Sequence, residues 1–329
     1  MKTVWFERKG PAREVLVVGD MPDPVPDVGQ VRVKVRVSGV NPSDTKTRSG
    51  YGGNTRMEFP RIVPGQDGAG VIDRVGPGVS DSRVGERVWV YEAYRGRPFG
   101  TAAEYVVVPS QQAVKLPDAI DFDTGAGLGV PAMTSHRCLF ADGALQGRTV
   151  LVQGGGGGVG NPAIQLARWA GARVIATVSR PQQEDAARAA GAHVVVNRKR
   201  ENVVEAVRAA TSGEGVDRIV DVDFGQNIEA DAAMLKPGGA IATYFSTPLG
   251  PTQVPVFPLM WNCITVHFVL VYTMSQQAHV DAIRDVTACL EAGQYRTLVG
   301  ARFRLDQLAE AHEAQDSGDV VGKILIDVP

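Results

Sequence analysis

The chain has 329 residues, room for two domains, and its 44% hydrophobic and 21% charged content is that of an ordinary globular protein. A formal net charge of −2 supplies no basic field, so neither nucleic acid nor an anionic membrane is expected as a partner. Cys138, Cys263 and Cys289 are odd in number and widely spaced, which excludes a disulfide framework and a cysteine-rich zinc site. The N-terminus lacks the apolar core of a signal peptide, and Ile264 to Tyr272 is too short to span a bilayer; a cytoplasmic protein is expected.

The first 125 or so residues read as strands and turns. Val31, Val33, Val35 and Val37 alternate with Arg32, Lys34 and Arg36, the period of a strand with one buried face. Further strands are predicted at Gly70–Val75, Arg87–Tyr91 and Glu104–Val108, separated by Gly, Pro and Ser turns, as in a barrel or sandwich. Beyond this point the texture alternates. Strands are predicted at 149–153, 173–178, 193–196, 217–221 and 240–245, with helices near 159–170, 181–190, 201–211 and 227–236. Several of these helices close on glycine, at Gly171, Gly191 and Gly213. The pattern is α/β, a doubly wound parallel sheet following a β-rich domain. A helix at 276–292, a strand at Leu298–Phe303, a helix from Asp306 to about Ser317 and a strand at Val320–Val328 complete the chain.

The strongest local signal is the strand 150–153 running into Gly154-Gly-Gly-Gly-Gly158-Val-Gly160 and then a helix. Gly155, Gly157 and Gly160 fit G-x-G-x-x-G, with Gly158 and Val159 between them, in the strand–turn–helix setting that gives the motif meaning. Glycines there serve a tight turn, close approach to a pyrophosphate and helix–strand packing, and the phosphates sit on a helix N-terminus. The next strand ends at Ser179-Arg180, where an NAD-preferring site would carry an acidic residue. A neutral hydroxyl beside a guanidinium favours a 2′-phosphate, so the expected cofactor is NADPH; Arg180 as a solvated loop residue is the alternative. Phe245 and Ser246 end the fifth strand, at the edge where such sheets bind nucleotides. No G-x-S-x-G elbow or G-x-x-x-x-G-K-[ST] loop occurs, which removes hydrolase and nucleotide-triphosphatase readings.

Ser38-Gly-Val-Asn-Pro42, Arg48-Ser-Gly50, Pro64-Gly-Gln-Asp-Gly-Ala-Gly70, Val75-Gly-Pro-Gly78, Gly85-Glu-Arg-Val88 and Ala103-Glu-Tyr105 recur in one family. So do Gly191-Ala192, Ala311-His312 and Gly322-Lys323. With them the chain resembles the zinc-independent quinone oxidoreductases, the zeta-crystallin-like branch of the medium-chain dehydrogenases/reductases. The resemblance implies a GroES-like catalytic domain at 1–124, a Rossmann NADPH-binding domain at 125–293 and a C-terminal return to the first domain at 294–329. It also implies a homodimer or homotetramer.

Zinc relatives of this family use a Cys-His-Cys set; here Asn41 and Gln66, with Asp67 beside it, occupy the first two positions, and no Cys stands near Gly129-Val-Pro131. No metal is expected. The implied catalytic group is Asn41, Tyr51, Gln66 and Asp67, with Asn41, Thr134, Asn197, Arg198 and Lys323 also at the cofactor. Each has a plainer alternative. Asn41 suits a turn, Tyr51 a surface, Gln66 and Asp67 a structural hydrogen-bond role and Thr134 a helix cap. Arg198 suits a solvated flank, and the Lys323 stem can simply pack. Without a Lewis acid the expected substrate is a quinone or activated enone that takes hydride directly, with NADPH as donor. An enoyl-thioester reductase and a non-catalytic NADPH-binding protein are the rival readings.

Overall fold

The alternating valines at 31–37 belong to an eleven-residue strand, and they alternate in burial as they alternate in sequence. The computed structural model describes residues 1–329, which divide into two units, Met1–Val130 with Arg296–Pro329, and Pro131–Tyr295. The first unit begins with β1 (Lys2–Trp5), β2 (Val17–Asp20), β3 (Gln30–Val40), β4 (Asp67–Val75), β5 (Arg87–Val90), β6 (Tyr105–Pro109) and β7 (Ala113–Lys115). The second unit carries β8 (Thr149–Val152), β9 (Arg173–Val178), β10 (Val194–Asn197), β11 (Val216–Asp221), β12 (Leu235–Thr243) and β13 (Thr265–Phe268). The chain then returns to the first unit for β14 (Val299–Arg304) and β15 (Lys323–Asp327).

In the first unit the sheet order is β14-β15-β3-β4-β5-β7, with β6 also paired to β3. Val31, Val33 and Val35 meet Ile72, Val88, Val106, Ile324 and Ile326 in its core. From Val37 to Val40 the strand is buried on both faces. Close approach permits this: a Cβ on Gly39 would lie 2.2 Å from the Ala126 carbonyl oxygen. The short helix Phe122–Gly125 that precedes this contact is capped by Asp121, whose carboxylate accepts from Thr124 N–H. β1 and β2 form a separate antiparallel ribbon that the sequence reading missed.

The second unit is a parallel six-stranded sheet in the order β10-β9-β8-β11-β12-β13. Leu151, Ile175, Val196, Ile219 and Ile241 are all buried, as strands covered on both faces require. Successive strands run one way from β8 through β9 to β10 and the other way from β8 through β11, so the strand order reverses at the carboxyl end of β8. That is where the glycine turn lies. Helices occupy Gly160–Trp169, Pro181–Ala189, Val203–Ala210, Phe224–Met234 and Gln276–Glu291, close to the predicted spans. The helix Met133–Phe140 was not predicted, whereas β13 falls within Ile264 to Tyr272, the stretch expected as an edge strand. Arg218, buried on β11, donates to the Cys138 carbonyl at 2.9 Å and pairs with Asp142, and His267 of β13 lies 2.6 Å from the same carboxylate. No helix is long and apolar enough to cross a membrane.

One buried histidine has a measurable consequence. His312, on the helix Leu308–Ser317, is 1% exposed and its Nδ1 has no hydrogen-bond partner. Burial, helped by the Arg48 charge, lowers its pKa to about 3. An unfolded histidine titrates near ~6.5, so between that value and the folded one the unfolded chain binds the extra proton. Stability is therefore lost as pH falls below ~6.5, by up to ~1.4 kcal/mol per pH unit. We expect His312→Leu to flatten the acid limb of stability against pH, read as the difference between the two proteins in urea titrations from pH 7 to pH 4. Parallel curves would show that His312 titrates alike in the folded and unfolded chain.

Candidate active site

Asn41 ends β3 and begins the helix Pro42–Ser49, a short helix absent from the sequence reading. Its local signals are clear in retrospect: Pro42 in the first turn, Asp44 two residues later and Gly50 closing in the left-handed region at φ 77°. Asp44 accepts from the Asn41 backbone N–H at 2.8 Å. The Asn41 side chain also serves the interior: its Nδ2 donates to Asp67 Oδ2 at 2.8 Å, and its Oδ1 accepts from Lys323 Nζ at 2.5 Å. Lys323 also donates to Asp67 Oδ2 at 2.9 Å, while Val130 N–H donates to Asp67 Oδ1 at 2.8 Å. Gly129 makes this last bond feasible, because a Cβ there would sit 2.2 Å from Asp67 Oδ1.

The cluster is largely withdrawn from solvent. Asn41, Asp44, Gln66, Asp67 and Lys323 are all buried. Gln66 Oε1 accepts from Tyr94 N–H at 3.3 Å, and Tyr94 donates its phenolic proton to Asp44 Oδ1 at 3.0 Å. Burial, with the neighbouring Asp67 charge, raises the Asp44 carboxyl to about 6, against the pull of the Asn41 N–H, Lys323 and Tyr94. Asp44 and Tyr94 are the residues that the sequence reading missed. Both Asp67 oxygens are engaged, Oδ2 by Asn41 and Lys323 and Oδ1 by the Val130 N–H. Lys323 gives two of its three N–H donors to Asn41 and Asp67 inside the first unit. Tyr51 sits on an exposed turn, its ring over the Lys46 ammonium at 4.9 Å.

A zinc ion does not fit here. The cluster holds no Cys or His, and the Asn41 and Asp67 oxygens already surround a cation, the Lys323 ammonium. Nowhere does the chain gather three or more His, Cys, Asp or Glu side chains in a metal-holding arrangement.

In the second unit the glycines divide the labour differently from the motif register. The left-handed turn falls to Gly154 at φ 72°, whose carbonyl accepts from Gly157 N–H at 2.9 Å. A Cβ on Gly155 would meet Ala176 and Ile164 at 3.0 Å, and one on Gly160 would lie 2.1 Å from the Gly154 carbonyl, so these two serve packing. A Cβ on Gly158 would meet no protein atom within 4 Å and its φ is not positive; its bareness serves nothing in the protein itself. Ser135, unnoticed in the sequence, donates to the Val159 carbonyl at 2.7 Å and ties the helix Met133–Phe140 to this turn. Thr134 is buried in the same helix, whose cap makes no side-chain bond, so it is not a cap.

Ser179 and Arg180 follow β9, and Arg198 N–H bonds the Val178 carbonyl, so both arginines lie at the carboxyl ends of adjacent strands. Ser179 donates through N–H and Oγ to Gln183 Oε1, each at 3.0 Å. Asn197 donates to Glu184 at 2.7 Å. Ser246 Oγ accepts from Gly225 N–H at the start of the helix Phe224–Met234, and Phe245 with Ser246 lines a cavity of about 260 Å³ with Phe224, Tyr244 and Phe268. A larger cavity of about 530 Å³, beside His136 and Trp169, contains none of the candidate residues.

A parallel sheet with a glycine turn at its strand-order reversal, carried by a chain that also folds a β-rich unit with a buried polar cluster, defines an oxidoreductase using a nicotinamide dinucleotide. Residues 27–118 match the family described as alcohol dehydrogenase GroES-like domain, and 158–288 the family described as zinc-binding dehydrogenase. A quinone oxidoreductase of Lama guanicoe is 30% identical over 329 residues, covering 99% of this chain and 97% of that one. A 2-haloacrylate reductase of a Burkholderia species is 30% identical, with 92% and 91% covered. Among solved structures, an NAD-dependent alcohol dehydrogenase superposes with a TM-score of 0.89 at 28% identity, covering 100% of both chains. A mycobacterial protein complexed with NADPH does so at 0.85 and 26%, again covering 100% of both. The chain belongs to the medium-chain dehydrogenase/reductase family, in its quinone oxidoreductase branch.

The two glycines separate by experiment. We expect Gly158→Ala to weaken binding of the nicotinamide dinucleotide roughly tenfold, the loss of about one good phosphate hydrogen bond, with no change in melting temperature. Gly160→Ala should instead destabilise the protein by ~1–3 kcal/mol through overpacking. Cofactor fluorescence titration and thermal melts of both variants check this, and equal effects of the two would refute the division.

Proposed function

We propose that the protein is an NADPH-dependent, zinc-independent reductase that transfers hydride from the nicotinamide to a quinone. The observation that carries the reading is the buried Asn41–Asp67–Lys323 cluster, a hydrogen-bonding site with a built-in cation in place of a nitrogen–sulfur metal set. Such a site suits an acceptor that is already electron-poor. Bound NADPH would supply a hydride, which carries two electrons and one proton, and solvent a second proton; together these convert a quinone into its hydroquinone and leave NADP⁺. Relatives named quinone oxidoreductase at 30% identity support the substrate class. Bound NADPH supplies the hydride; this chain's residues bind it, orient the acceptor's oxygen and keep water away. In this reading the glycine turn from Gly155 to Gly160 takes the pyrophosphate. Thr134, Asn197, Phe245 and Ser246 meet the rest of the cofactor, and Tyr51 and Gln66 border the acceptor.

The phosphate preference rests on Ser179 and Arg180, with Arg198 on the neighbouring strand end and a neutral Ser179 in place of an acidic residue at the end of β9. An activated enone is the second reading, favoured by the 2-haloacrylate reductase relative. The first assay follows NADPH oxidation at 340 nm with 1,4-benzoquinone and 9,10-phenanthrenequinone, with NADH, an enone panel and a chelator in parallel. We expect chelator-resistant turnover that prefers NADPH, and loss of that preference by about tenfold in Arg180→Ala, one charge-assisted hydrogen bond. Turnover of enones alone would move the assignment to the second reading. Stoichiometric NADPH binding without turnover on either panel would leave a non-catalytic binder.

We further propose a cytoplasmic homodimer, or a tetramer built from such dimers, formed through β13. This strand is the free edge of its sheet, and Phe268 and Trp261 are 74% and 78% exposed beside Phe257 and Met260. Val269 is buried, so the probe of choice is Phe268. Light scattering after size exclusion should give a dimer or tetramer for the wild type and a smaller species for Phe268→Lys; a monomeric wild type ends the proposal.

A further inference from the structure

We propose that Lys323 is the fixed cation of this site, a positioning residue that orients and polarises the Asn41 amide so that its remaining N–H binds the negative charge developing on the acceptor oxygen. The inference deepens the reductase reading and rests on it for the identity of the acceptor.

The geometry leaves one orientation of the amide. An ammonium only donates and a carboxylate only accepts, so Asn41 must present Oδ1 to Lys323 Nζ, at 2.5 Å, and Nδ2 to Asp67 Oδ2, at 2.8 Å. The amide nitrogen carries two hydrogens, and one is used by Asp67. Asp67 is itself immobilised by Val130 N–H and Lys323, and the Asn41 backbone by Asp44, which Tyr94 holds in turn. A cation on the amide oxygen draws electron density through the C–N bond and strengthens the remaining N–H as a donor, an effect enlarged where water is excluded. Asp67, drawing on the other hydrogen, keeps the amide from rotating. The positive charge thus stands one amide away from the reacting oxygen, supplied by the last strand of the chain.

The test needs no turnover. 4-Nitrophenol, whose ionisation is visible in its absorbance, serves as the probe in the presence of saturating NADP⁺. It is titrated into wild type, Lys323→Met and the charge-neutral Lys323→Met/Asp67→Asn pair. The pair is included because the single variant strands a buried carboxylate and risks misfolding. We expect the wild type to bind phenolate more tightly than neutral phenol, and the variants to lose about tenfold of that preference, a shift of about one pKa unit for the bound probe. NADP⁺ affinity and the binding of neutral phenol should hold within about twofold, whereas a merely structural lysine would move both phenol forms together. A wild type without phenolate preference, or variants that keep it, would overturn the proposal. A wild type that reduces no quinone or enone, with the preference lost in the variants, would sink the reductase reading and leave the Lys323 assignment standing.

Discussion

A buried ammonium held between one amide and one carboxylate joins three strands that are far apart in the chain. Asn41 closes β3, Asp67 opens β4 and Lys323 opens β15, and the register places Asp67 and Leu325 both opposite Gly39. Taking an ammonium and a carboxylate out of water costs several kcal/mol per ion, and only close geometry with further hydrogen bonds offsets it. Here Lys323 has two such bonds and Asp67 Oδ1 has the Val130 N–H besides. The cation also explains why the chain must return. The second unit interrupts the first between Val130 and Arg296, and until β15 lies against β3 the Asn41 amide has no charge to turn towards.

The two candidate sites handle polarity in opposite ways. In the first unit's cluster, charge is brought inside and paired, so the site is preorganised by side chains. In the second, side chains are removed: bare backbone at the end of β8 offers N–H groups at a helix N-terminus. What stiffens that bare turn lies outside it. Ser135 holds the Val159 carbonyl, and Gln183 packs so closely that a Cβ on Gly156 would approach it at 2.7 Å. Five consecutive glycines thus have several different reasons to be glycine, and the turn conformation itself belongs to Gly154, one position before the motif register begins.

Legibility in the sequence followed the length scale of the interaction. Strands with a two-residue period and helices closed by glycine were readable because the pattern that forms them is local; β9 occupies Arg173–Val178 as expected. Membership of the family was readable from motifs spread along the whole chain. Contacts across hundreds of residues were not. Nothing local in Gly322-Lys323 says that the ammonium turns inward to Asn41, and the composition of the Tyr91–Tyr94 turn does not reveal a hydrogen bond to Asp44. The helix Pro42–Ser49 is a different kind of miss. Its proline, acidic residue and closing glycine were all visible, but the apolar periodicity used to recognise helices is lacking in so polar a segment. Asn41 shows why residue type alone misleads: it stands at the capping position of its helix, and the same side chain is bonded to Asp67 and Lys323.

The strength of the polarising group bears on which acceptors the proposed reaction can use. A metal bound to a carbonyl oxygen supplies a full Lewis acid and lets even a poorly stabilised alkoxide form. A preorganised N–H donor in a dry site contributes about 2.7–4 kcal/mol towards an oxyanion, with a neighbouring buried cation adding to it. That is enough when the product oxygen is a phenolate or an enolate, whose charge is already delocalised over carbon. It falls short for a simple ketone, where the charge stays on one oxygen of high basicity. If Asn41 is the donor and Lys323 its cation, as proposed, the site would be matched in strength to quinones and activated enones, and discrimination against plain carbonyl compounds would follow from that limit without any pocket having to exclude them.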